Sequence, residues 1–65
     1  MKKFVLTTCK GITKEFKYLE DLIKILGTDP ISELTNHEIC FLDAGMDIQR
    51  KNKNGEFLYK VNVVA

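Results

Sequence analysis

The chain has no tryptophan, one proline, one histidine, one serine and two cysteines among its 65 residues, and each shortage closes off a class of chemistry. Two cysteines, Cys9 and Cys40, are too few for the disulfide framework of a small secreted domain. With His37 they give three soft metal ligands, where a structural zinc site takes four. Ser32 and His37 lie five residues apart across an expected helix end, with no evident geometry to align them as a nucleophile and base. Gly11, Gly27, Gly45 and Gly55 stand singly, each explained by a turn or a helix end, so no glycine-rich loop cradles a phosphate. Asp43 and Asp47 flank Gly45 and read as turn chemistry and solvation. The expectation is a chain without catalytic residues, metal or cofactor, with both cysteines acting as small buried hydrophobes in strands.

Long apolar runs are missing too. None approaches the roughly 20 residues of a membrane span. Phe4-Val5-Leu6 follows Met1-Lys2-Lys3 but stops at Thr7, far short of a signal-peptide core. A reducing, cytoplasmic setting is the default that follows. The small size and a composition rich in lysine and isoleucine suit an accessory protein of a bacterium or phage.

What is present is ordinary globular material, 45% hydrophobic and 29% charged. Residues 1–65 suffice for one domain. A domain near this size buries about 60% of the surface its unfolded chain exposes, which leaves a thin core and little room for an enclosed cleft. Self-association is the simplest supplement to such a core. The net charge of +1 conceals a pattern. Residues 1–17 carry five lysines against Glu15, net +4; residues 18–47 carry Lys24 against seven carboxylates, net −6; residues 48–65 are net +3. Basic ends and an acidic middle make an electrically two-sided molecule if the ends are neighbours.

Residues 3–9 and 13–18 read as a β-hairpin. A two-residue loop at Lys10-Gly11 pairs Val5 with Phe16 and Leu6 with Glu15. A three-residue loop pairs Leu6 with Phe16 and Phe4 with Tyr18. The second is preferred because it gathers Phe4, Leu6, Phe16 and Tyr18 on one face and leaves Val5, Thr7, Thr13, Glu15 and Lys17 on the other. Leu19, Leu22, Ile23 and Leu26 form a stripe at helical spacing, which predicts a helix over 19–26 closed by a left-handed Gly27. Asp29-Pro30 resembles an N-cap followed by proline at the first helical position, opening one further turn over 30–35. Ile39 to Leu42 run without a polar break and predict a covered strand over 38–43, entered by a loop at His37. Residues 46–52 and 57–64 predict a hairpin around Asn54-Gly55, the strongest short turn signal in the chain. A two-residue loop there places Met46 opposite Val63, Ile48 opposite Val61 and Arg50 opposite Tyr59. The polar face then pairs Asp47 with Asn62, Gln49 with Lys60 and Lys51 with Leu58.

The expected fold is therefore α+β: an antiparallel-dominated sheet, β-β-α-β-β-β in sequence and ending in a meander, with one main helix packed on one face. Val5, Leu58 and Val64 fall on the open face and are the candidate protein-interface patch. The expected function is a non-enzymatic interaction module, acting through self-association or a protein partner. The alternative is weak nucleic-acid binding through Arg50, Lys51 and Lys53 at the last hairpin. So few basic residues give only weak, salt-sensitive contact with phosphates. A helix-turn-helix from residues 19–26 and 30–35 is disfavoured by a short second helix that carries Glu33 and no basic residue.

Overall fold

The computed structural model describes residues 2–64. It contains β1 (Lys3–Thr8), β2 (Thr13–Phe16), α1 (Leu19–Leu26), α2 (Asn36–Asp43), β3 (Ile48–Lys51) and β4 (Phe57–Val64). The strands form one antiparallel sheet in the order β2-β1-β4-β3. The first and last strands meet at its centre, with Phe4 opposite Val63 and Leu6 opposite Val61. The fold is the α+β class that the pattern implies, built on an antiparallel sheet. Its core joins Phe4, Leu6, Tyr59 and Val61 from the sheet to Leu22 and Leu26 of α1, Leu42 of α2 and Leu34 of the loop between the helices. Leu22, Leu42 and Val61 are wholly buried, and burial of one such side chain contributes about 1.5–3 kcal/mol. The acidic stretch 18–47 supplies both helices, and the two basic ends supply all four strands.

The principal departure from the sequence pattern is residues 38–43, which lie within α2 and are not a strand. Among the described residues the sheet therefore has four strands and no terminal meander. An unbroken apolar run of four residues fits either period, and here the flanks decide. Thr35 is the N-cap: its side chain accepts the Glu38 N–H at 3.2 Å, while Glu38 Oε1 accepts the Thr35 N–H at 2.9 Å, a complete capping box. Leu34 before the cap and Ile39 in the next turn both pack on the core, as a hydrophobic staple does. At the other end the Met46 N–H donates to the Phe41 carbonyl at 2.8 Å and the Gly45 N–H to the Leu42 carbonyl at 3.0 Å. This is the Schellman pattern. Lys2 Nζ donates to the Asp43 carbonyl beside it, a cation at the negative end of the helix. His37 thus sits in the first turn of α2 and not in a loop, and Cys40 is exposed on that helix.

The smaller departures concern turns. In the first hairpin neither expected register forms. Phe4 faces Phe16, Leu6 faces Lys14 and Thr7 faces Thr13, around a three-residue loop Cys9-Lys10-Gly11. The preferred register differs from this by two residues, and since side chains alternate with period two, its sorting of Phe4, Leu6 and Phe16 onto one face survives. Tyr18 leaves the sheet to become the N-cap of α1. The second hairpin repeats the same loop. The Asn52 N–H donates to Glu56 and the Gly55 N–H to Asn52, as Thr8 does to Ile12 and Gly11 to Thr8. Gly11 and Gly55 both have φ of 82°, the left-handed position of a three-residue loop. This replaces the two-residue Asn54-Gly55 turn. Ile48 still faces Val61, Gln49 faces Lys60 and Arg50 faces Tyr59, but Lys51 faces Phe57 across a bulge. Gly27 closes α1 in the right-handed region at φ −76°, not the left-handed one. The turn after Asp29 closes once, from the Ser32 N–H to the Asp29 carbonyl, and makes no helix over 30–35.

Candidate functional site

Because β1 and β4 run antiparallel at the sheet centre, both hairpin loops project from the same end of the molecule. Thr8 faces Tyr59, and the Cys9 N–H donates to the Leu58 carbonyl at 3.0 Å. A third segment, the loop from Asp29 to Glu33, is drawn over this end by two side chains of the second hairpin. Tyr59 donates its hydroxyl to the Ser32 carbonyl at 2.7 Å. Arg50 donates to the Ile31 and Glu33 carbonyls at 3.2 and 2.9 Å, and its Nε donates to Glu38 Oε2 at 3.0 Å. A second guanidinium nitrogen donates to Glu38 Oε1, which completes a two-point ion pair. One arginine thereby ties β3, the interhelical loop and the capping box of α2 together.

The electrostatics follow from that geometry. Burial pushes the Glu38 carboxyl upward, but hydrogen bonds from Arg50 and Thr35 and the charge of Arg50 outweigh it and hold it below the usual range. The bond to Glu38 raises the guanidinium of Arg50, against some burial. Burial raises the Tyr59 hydroxyl, an effect partly opposed by the Arg50 charge 6.0 Å from the ring centre.

The clamp leaves apolar side chains outside. Asp29 Oδ1 accepts the Ile31 N–H at 3.0 Å, which fixes the turn that presents Ile31 to solvent at 65% exposure. Ile12, just past the first loop, is 52% exposed. Leu58 is the extra residue of the bulge and packs against the core side instead of the open face. Two shallow hollows meet at Leu58. One, of about 460 Å³, runs between Ile31 and the 50–54 segment; the other, of about 450 Å³, runs among Ile12, Leu26 and Tyr59. Lys10, Lys51 and Lys53 border them, with Asp29 as the one carboxylate among the described residues of their linings.

The structure divides the residues that the sequence grouped. Arg50 is turned inward, only 21% exposed and paired, whereas Lys51 and Lys53 stand exposed at the tip. Val5 and Val64 are diagonal neighbours on the helix-free face, through the Lys3–Val64 and Val5–Asn62 pairs, and the bulge separates Leu58 from both. The two cysteines are exposed free thiols rather than buried strand residues, Cys9 in a loop and Cys40 on α2. Ser32 contributes a backbone carbonyl to the clamp. Asp47 accepts the Val63 N–H at 2.7 Å and the Asn62 amide at 3.3 Å, sealing β4 where β3 stops. Among the described residues no three His, Cys, Asp or Glu side chains converge as metal ligands, and no helix is long and apolar enough to cross a membrane. Sequence reasoning missed Glu38 and Ile31. The Thr35-to-Glu38 spacing was the available signal for the first; nothing local marks the exposure of the second.

The chain matches no protein-family model, and searches of curated proteins and of solved structures found no match.

Proposed function

We propose that the chain is a non-enzymatic protein-binding module whose contact surface is the hairpin-tip end, and that its partner presents an apolar side chain on an acidic segment. The observation that carries this reading is Ile31: a large apolar side chain 65% exposed on a loop fixed from beneath by Arg50 and Tyr59. A loop already held in place loses little freedom on binding. Hollows on either side of Leu58 offer seats for an apolar anchor. Lys10, Lys51 and Lys53 favour an acidic partner and speed its approach. The exposed free thiols suit a reducing cytoplasm. The nucleic-acid reading retains Lys51 and Lys53 and loses Arg50 to the clamp.

The test is an NMR titration of the full chain with an acidic peptide carrying one Leu or Phe, beside a single-stranded DNA oligomer. Saturable shifts of the residue 12, 31 and 58 amides by the peptide, abolished by Ile31→Glu, are expected. Peptide shifts elsewhere on the molecule, or a salt-sensitive response to DNA alone, overturn the reading.

A further inference from the structure

The sheet has two open edges, β2 and β3, and their chemistry differs. Thr8 bonds to Ile12 across the first hairpin, and Cys9 bonds to Leu58 across the centre. By antiparallel alternation, Ile48 and Arg50 then direct their N–H and C=O groups to β4, while Gln49 and Lys51 direct theirs outward. On β2 the outward residues are Thr13 and Glu15.

We propose that β3 is a self-association edge, pairing antiparallel with β3 of a second copy about a two-fold axis at Gln49. This inference does not rest on the tip surface. An axis perpendicular to the sheet keeps the helices of both copies on one side, so residues facing each other across the edge must come from the same face. At β3 this places Gln49 opposite Gln49 on the axis, with both groups of outward bonds satisfied. Asp47, just before β3 and with its carboxylate also holding the Val63 N–H and the Asn62 amide, then faces Lys51 of the second copy, twice, and Ile48 faces Arg50. The opposite charges match, and Arg50 is already neutralised by Glu38. Exposed Met46, beside the start of β3, gains cover. A two-residue slip in one direction sets Arg50 against Arg50. The same requirement applied to β2 sets Lys14 against Lys14 or Glu15 against Glu15 on its two interior axes, where like charges directly opposite disfavour pairing, while an axis at Thr13 or Phe16 pairs only the end residue of the four-residue strand. The result is a continuous eight-stranded sheet with β2 at both ends.

Sedimentation equilibrium of the full chain from micromolar to millimolar concentration tests this. The wild type is expected to dimerise with concentration. Gln49→Pro removes an N–H that by the same alternation points away from β4, so it should weaken the dimer at least tenfold with the melting curve preserved. Gln49→Asp, which places like charges on the axis, should do the same without any backbone constraint. Glu15→Pro at the other edge and Ile31→Glu at the tip should leave the dimer constant unchanged. A wild type that stays monomeric, a dimer that survives both Gln49 substitutions, or one lost on Glu15→Pro overturns the proposal.

Discussion

Replacing Arg50 with alanine removes four donated hydrogen bonds together, two to Glu38 and one each to the Ile31 and Glu33 carbonyls. Breaking a fully buried ion pair from one side costs about 3–5 kcal/mol, while an exposed pair is worth about 1 kcal/mol or less. With side chains 21% and 16% exposed, this pair lies toward the buried limit, though enough water reaches Glu38 to rehydrate it in part. A loss of about 2–3 kcal/mol follows. At about 0.05–0.15 kcal/mol per residue the whole domain is worth roughly 3–10 kcal/mol, so the substitution removes a large share. At about 4–8 °C per kcal/mol, Tm should fall by roughly 10–20 °C. Urea unfolding followed by circular dichroism measures the loss directly. A double-mutant cycle with Glu38→Gln, which preserves the capping geometry, isolates the pair, and a coupling of about 1–2 kcal/mol is expected. Arg50→Lys should recover less than half, since an ammonium cannot span Glu38 and two carbonyls. A loss below about 0.5 kcal/mol, with no coupling, would refute the clamp by placing Arg50 among ordinary surface charges.

The depressed Glu38 carboxyl contributes stability that is present above its unfolded value, about 4.3, and is lost as pH falls through its lower folded value. Glu38→Gln should flatten the acid limb of a pH-melting profile. Tyr59, raised in the fold, behaves in the opposite sense. Its contribution holds below the unfolded value, about 10, and fades as pH climbs through the folded one, so Tyr59→Phe should flatten the alkaline limb. That substitution should also cost about 1 kcal/mol by stranding the Ser32 carbonyl, measured by thermal melting. Gly55→Ala meets open space but keeps a φ of 82°; the strain should cost about 1–2 kcal/mol in urea unfolding, with Gly55→Asn milder.

Much of this fold can be read from residue pattern alone. The stripe from Leu19 to Leu26 has one period and gives one answer. The Ile48–Val61 and Arg50–Tyr59 pairs match the hydrophobic pattern although the loop has three residues and not two, because the bulge at Leu58 offsets the extra residue. Ile39 to Leu42 failed as a strand because four consecutive apolar residues carry no period, and the information sat outside the run, in Thr35, Glu38 and Gly45. The site was less legible. Arg50, Lys51 and Lys53 look alike as a basic cluster. What distinguishes Arg50 is a glutamate 12 positions earlier, brought close only by tertiary folding. The exposure of Ile31 has the same origin, since the clamp that sets it draws on three separate elements.

The placement of β1 beside β4 has a kinetic consequence. Each flanking hairpin closes over a few residues and can form as soon as its own strands exist. The central seam joins positions about 60 apart, such as Lys3 and Val64. Pairing at such separation carries a large loop-closure cost and slows folding for a chain this short. During synthesis the hydrophobic interior stays open until β4 has emerged, because Tyr59 and Val61 form its central wall. Removing the last eight residues of the sheet would therefore split the molecule down its middle instead of trimming an edge.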